Sequence, residues 1–237
     1  MLLLMLAFIG ITVLTGLGIL TGIDRWSWAM AATLSFYPVD LLSGVFSFLG
    51  NMEVTGLIAL VLALHWRRRY GWRGFLAPLL LFVGVAIEIV LKYALFQPPL
   101  PPLSLPRWQL PFSSLSLTHA VPGWMSLLPY SFPSGHLLRS TFLISLLMGQ
   151  SGQRYRLVGV ILIAIMAFTR VYDNDHWLSD VIGGCLLGLT LASLAAVIHP
   201  AWSDESGIPL SHDKGSIRFS TRLIRDRWCA GRTLPML

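Results

Sequence analysis

Two short clusters carry residue types suited to binding and moving an oxyanion: Pro133-Ser134-Gly135-His136, and Thr169-Arg170 followed by His176 and Asp180. A glycine lets an anion approach the backbone, a serine adds a hydroxyl donor, and a histidine exchanges a proton near neutral pH. Proline and glycine stand just before the apolar run that begins at Leu137, so Ser134, Gly135 and His136 are expected in the first turn of a helix. The free N–H groups and positive dipole end of that turn attract a phosphate. The plainer alternative is an N-cap serine followed by an interfacial histidine.

In the second cluster Arg170 ends an apolar run, Tyr172-Asp173-Asn174-Asp175 makes a polar turn, and His176 and Asp180 are four apart. On one helix this spacing puts them on a common face. A carboxylate one turn from an imidazole fixes its tautomer and leaves the other ring nitrogen free to attack. The alternative is an interfacial salt-bridged pair, although ionisable side chains at the edge of a membrane span generally mark function. A third element is Lys92, which on its own would read as a snorkelling lysine or an i,i+4 partner of Glu88.

The elements that must hold these residues follow from composition. Hydrophobic residues make up 55% of the 237, charged residues 12%, and the mean hydropathy is +0.70, values that point to an integral membrane protein. Its spans are expected to be helices, because a helix satisfies its own backbone polar groups in lipid. Six apolar segments lie near 1–22, 50–65, 74–96, 136–150, 157–172 and 177–198. The first is expected to be a retained span, since it lacks a basic leading region and a clear small-residue cleavage site before Asp24. This predicts an all-α, six-helix bundle in residues 1–198 and a basic tail in 199–237. In such a bundle the end of the third span, the starts of the fourth and sixth and the end of the fifth share one side, so Lys92, Ser134–His136, Arg170, His176 and Asp180 converge.

Positive charge sets the orientation. Arg67, Arg68, Arg69 and Arg73, then Arg154 and Arg156, then Lys214, Arg218, Arg222, Arg225, Arg227 and Arg232 account for 12 of the 17 basic residues and fall on one side of the six-span arrangement. Positive loops stay inside. Both termini are therefore expected in the cytoplasm and the clusters at the exterior surface of the plasma membrane. These loops explain the net charge of +6 without a nucleic-acid partner, which would need a basic surface on a folded domain. Ile217, Phe219, Leu223, Ile224 and Trp228 interleave with the tail's arginines, leaving open a tail lying on anionic headgroups or a solvated one.

The stretches 23–49 and 97–132 are expected as external segments that set headgroup size. The second contains Pro98, Pro99, Pro101, Pro102, Pro106, Pro111, Pro122 and Pro129 among leucines and tryptophans, which leaves a rigid connector or a lip over a lipid-binding cleft equally open. Cys185 and Cys229 offer neither a disulfide framework nor a metal spacing, no metal or cofactor is implied, and nothing specifies an oligomeric state.

These residues resemble the type 2 phosphatidic acid phosphatase superfamily of membrane lipid phosphatases, the group that includes bacterial phosphatidylglycerophosphatase B and undecaprenyl diphosphate phosphatases and is related in its site to vanadium haloperoxidases. Its signatures read KxxxxxxRP, PSGH and SRxxxxxHxxxD. The second is complete at Pro133-Ser134-Gly135-His136, and the third is matched by Thr169-Arg170, His176 and Asp180, with Thr for Ser. The first departs from the pattern: after Lys92 the Arg-Pro position holds Pro99-Leu100, with Gln97-Pro98 just before it. Arg139, three residues after His136, is the candidate replacement for that arginine; pairing with Glu88 is its alternative.

The resemblance implies a metal-free, two-step reaction. His176, oriented by Asp180, attacks phosphorus to give a phosphohistidine; His136 protonates the leaving group and then activates water; Lys92, Ser134, Gly135 and Arg170 hold the phosphoryl oxygens. It implies undecaprenyl diphosphate, phosphatidylglycerol phosphate or phosphatidic acid as substrate classes. A lipid phosphotransferase of the same fold and a non-catalytic lipid-binding or scrambling relative are the competing expectations. A transporter would show paired half-helices about a midplane site, and Ser134 lacks the surroundings of a nucleophile elbow.

Overall fold

The computed structural model of the protein describes residues 1–101, 128–149 and 153–199. These residues are helical, with no strand among them. In chain order the helices are α1 (Leu2–Gly16), α2 (Thr21–Ala32), α3 (Tyr37–Gly50), α4 (Met52–Ala94), α5 (Gly135–Gly149), α6 (Gln153–Tyr172) and α7 (Leu178–Ile198).

Many large apolar side chains point outward, and many small or polar ones point inward. Leu3, Val90 and Val160 are 81%, 63% and 62% exposed, whereas Thr15, Ser43, Thr55, Ala59 and Ala77 are buried. That inversion suits a bundle whose solvent is lipid and whose helices associate through small residues. By length and composition, Met52–Ala94, Gln153–Tyr172 and Leu178–Ile198 can each cross a membrane, and the bent pair α1 and α2 would make a fourth span.

The first expected span, 1–22, is not one rod: α1 stops at Gly16 and α2 leaves at 86°. Gly18 sits at φ 70° in this elbow, and the Thr21 hydroxyl donates to its carbonyl at 2.8 Å. The stretch 23–49, expected as an external segment, is instead largely helical as α2 and α3, the latter opened by Pro38 in its first turn. The segments 50–65 and 74–96 lie within α4, whose two arms meet at Gly71 with φ 68° and ψ −150°. In an unbroken helix Trp66 and Gly74 would stand about 12 Å apart along the axis. Here the Trp66 carbonyl oxygen is 2.7 Å from where a Cβ on Gly74 would lie, so the chain folds back at Gly71. Most of the 97–132 loop and all of the tail after His199 lie outside the described residues.

The site is placed by α5 and α7. With 15 residues α5 is about 22 Å long, short of the roughly 30 Å hydrocarbon core, and it is enclosed by α3, α4, α6 and α7. Leu137, Leu138, Phe142 and Leu146 are fully buried along it. A methyl on Gly184 would overlap the Ser134 carbonyl oxygen, and one on Gly188 would come within 2.7 Å of that of Leu138. This small-xxx-small face of α7 brings the backbones of the two helices together.

Candidate active site

Ser134 stands immediately before α5, and its carbonyl accepts from Leu138 N at 3.0 Å to close the first turn. Its own N–H donates to the Asp180 carbonyl at 3.0 Å, which joins the starts of α5 and α7. The Ser134 hydroxyl is buried and has no hydrogen-bond partner among the described residues. His136 lies on the same turn, with Nε2 3.2 Å from Asn51 Oδ1 at the α3–α4 junction.

His176 occupies the turn before α7, not the helix itself. Trp177 is the N-cap, and Asp180 reaches back from the third helical position. The Asp180 Oδ2 accepts from Trp177 N at 3.0 Å and lies 3.4 Å from His176 Nδ1. One carboxylate therefore both caps the helix and faces the imidazole, which is why the pair does not share a helix face as its spacing suggested. Asp180 is fully buried in the first turn of α7.

Arg170, in the last turn of α6, has a fully buried side chain. Its NH2 donates to Asp173 Oδ2 at 2.8 Å, its NH1 to Asp175 Oδ2 at 2.9 Å and to Ser47 Oγ at 3.1 Å. Ser43 closes the cluster by donating to Asp173. Arg170 Nε is a buried donor without a partner among the described residues.

Lys92 and Arg139 share Glu88, at 2.8 Å and 3.2 Å on its two oxygens. Arg139 also donates through Nε and NH2 to the Gly50 carbonyl, at 3.3 Å and 3.1 Å. The Glu88 pairing weighed for Arg139 is thus present. Gly135 lies directly against this pair, since a methyl there would collide with both the Glu88 carboxylate and Arg139 NH1. Arg170, Arg139, His176 and Lys92 all lie close enough to His136 for their charges to act on it. Lys92, Ser134, Gly135, His136, Arg170, His176 and Asp180 are accordingly linked through one hydrogen-bonded and electrostatic cluster. Its donors are ammonium, guanidinium, hydroxyl and helix N–H groups, a set that matches an oxyanion.

Several supporting residues had no individual sequence signal. Gln97 donates to Asp180 Oδ1 at 2.8 Å and to Ser179 Oγ at 3.3 Å, and its own Oε1 accepts from Ser131 at 2.8 Å. Asp24 reaches Ser179, Asn51 reaches His136, and Asp173 with Asp175 braces Arg170. Gln97 had a hint as part of the Gln-Pro beside the altered first signature, and Asp173 and Asp175 as members of the polar turn after Arg170.

Residues 73–204, more than half of the chain, match the PAP2 superfamily, and the protein belongs to that family. Over 70 residues, 29% of this chain, it is 40% identical to an undecaprenyl-diphosphatase of Sulfolobus acidocaldarius, and the match spans about a third (34%) of that protein's length. The crystal structure of a transmembrane PAP2-type phosphatidylglycerolphosphate phosphatase from Bacillus subtilis superposes with a TM-score of 0.62, covering 82% of this chain and 92% of that one at 18% identity. The latter likeness shows a shared fold. All seven clustered residues lie within the family match, whereas α1, α2 and α3 precede it.

Proposed function

We propose that this protein hydrolyses a phosphate monoester or diphosphate on a membrane lipid through a phosphohistidine at His176. The observation that carries the reading is the set of buried donors without a partner among the described residues, Ser134 Oγ and Arg170 Nε, in the cluster that contains both histidines. Buried donors cost free energy unless something accepts from them, and a phosphoryl group supplies the acceptors.

With Nδ1 turned to Asp180, the His176 Nε2 is the nucleophile. It forms an N–P bond as the bond from phosphorus to the leaving oxygen breaks, and His136 gives that oxygen its proton. The leaving group is the lipid alcohol of a monoester or the lipid monophosphate of a diphosphate. His136 then takes a proton from water, whose oxygen attacks phosphorus and frees both inorganic phosphate and His176. Lys92, Arg170, the Ser134 hydroxyl and the α5 N–H groups from Gly135 onward stabilise charge on the equatorial oxygens in both steps. Arg139, bound to Glu88 and the Gly50 carbonyl, adds positive charge from behind Gly135. The reaction needs no metal.

The substrate class is undecaprenyl diphosphate, phosphatidylglycerol phosphate or phosphatidic acid, reached from the bilayer. The distribution of arginines supports six spans in residues 1–198 of a plasma-membrane protein, both termini and the basic 199–237 tail in the cytoplasm and the site outside. Phosphate release from each of the three lipids by detergent-purified protein, with chelator present and His176→Ala alongside, tests the proposal. Release that survives chelation and disappears in the variant is expected; no release from any of the three contradicts it.

A further inference from the structure

Asp24 of α2 lies 155 residues from Ser179 in sequence, yet its Oδ1 accepts from the Ser179 N–H and its Oδ2 from the Ser179 hydroxyl, both at 2.8 Å. Ser179 is the residue before Asp180, and both carboxylates are buried at the start of α7. The hydroxyl of Ser179 also accepts from Gln97 Nε2 at 3.3 Å, and the same amide nitrogen donates to Asp180 Oδ1 at 2.8 Å.

With Asp24 and Asp180 both ionised, one assignment of protons satisfies these contacts. A carboxylate only accepts, so the Ser179 proton points to Asp24 and its lone pairs face Gln97. The Gln97 carbonyl is taken by the Ser131 hydroxyl at 2.8 Å, so the amide must present its NH2 group to Ser179 and Asp180. Donation therefore runs from Ser131 to Gln97, from Gln97 to both Asp180 and Ser179, and from Ser179 to Asp24, which ends the second branch and fixes the Ser179 hydroxyl.

We infer that Asp24 is a positioning residue for the His176–Asp180 pair, acting through Ser179 and Gln97 from a helix that precedes the family match. This inference rests on the proposed role of His176 as the phosphoryl acceptor. An asparagine at 24 keeps the volume but has one accepting atom for the two Ser179 donors, so the Ser179 hydroxyl loses its direction and Gln97 its grip on Asp180. Asp24, Gln97 and Trp177 also line a cavity of about 350 Å³ in the elbow between α1 and α2, so the substitution falls at the wall of a space and not inside close packing.

The test is full-length Asp24→Asn in detergent, with Asp24→Glu and the milder Ser179→Ala beside it. Asp24→Asn is expected to lower kcat by about 10–100-fold, the range for partners that orient a functional group from behind, with KM within about twofold and only a modest drop in Tm from the one Ser179 donor left without an acceptor. Asp24→Glu restores part of the loss, and Ser179→Ala reproduces part of it. Unchanged kcat in both Asp24→Asn and Ser179→Ala, or a loss that follows Tm, overturns the inference. If the wild-type protein itself turns over no lipid phosphate, the phosphatase reading fails separately. Nitrogen-15 NMR of the His176 ring then decides: an Nδ1–H tautomer present in wild type and lost in Asp24→Asn supports the positioning role, and an unchanged ring overturns it.

Discussion

Glu88 and Arg139 meet at 3.2 Å between α4 and α5, with side chains only 3% and 4% exposed, and Lys92 occupies the other oxygen of the same carboxylate. Two buried cations are thus held on one carboxylate beside Gly135. Removing Glu88 would leave both cations uncompensated, at a cost of about 3–5 kcal/mol.

That relationship separates two roles for Arg139. As a stand-in for the absent first-signature arginine, it must contribute to turnover; as a structural partner of Glu88, only to folding. Arg139→Ala is expected to lower both kcat and denaturation resistance, because Glu88 loses its second partner and draws Lys92 away from phosphate. An Arg139→Ala protein with intact kcat and reduced stability would remove Arg139 from the chemistry.

Ser134 gives the opposite combination. Its hydroxyl has no partner among the described residues, so Ser134→Ala forfeits no internal hydrogen bond. The variant should keep the wild-type Tm and lose about 10²–10³-fold in kcat, as when one oxyanion donor is removed. Thermal denaturation and turnover measured on one preparation check both halves.

Gly184→Ala tests the α5–α7 approach. Its methyl would meet the Ser134 carbonyl oxygen and push the start of α5 away from Asp180. Overpacking of this kind costs about 1–3 kcal/mol. A loss of kcat larger than that of a lipid-facing control such as Val160→Ala is expected, with stability read by denaturant titration.

Gly71→Ala should destabilise by about 1–3 kcal/mol, because φ 68° with ψ −150° is open essentially to glycine alone. Turnover per folded molecule is expected to stay near wild type, since the fold-back lies in another part of α4 from Lys92. The folded fraction and the specific activity together check this.

The site helices were readable because each signature sits at the end of a long apolar run, and Ser134, His136, Arg170 and His176 announce themselves by type and spacing. The helices α2 and α3 were not. Asp24, Ser27 and Ala31, and likewise Asp40, Ser43 and Ser47, recur at helical spacing, but as polar or small residues turned inward. In a lipid setting that pattern is the interior face, whereas a search for unbroken apolar runs reads it as a loop. The 86° elbow and the reversal at Gly71 depend on single glycines, which fit an ordinary loop equally well. Partners such as Gln97 and Asp180, or Asp24 and Ser179, are joined only by the tertiary fold. The spacing of His176 and Asp180 suggests a shared helix face, whereas Asp180 caps the helix and His176 lies in the turn before it.

The most direct test of the central claim is to trap the phosphoenzyme. Protein is mixed with phosphorus-32-labelled lipid phosphate, quenched within the first turnover and mapped by peptide, with His136→Ala included to slow the hydrolytic step and His176→Ala as the control. The account predicts an acid-labile, base-stable phosphoryl group on the peptide containing His176, absent from His176→Ala. Label on another residue, or phosphate release undiminished in His176→Ala, would contradict it.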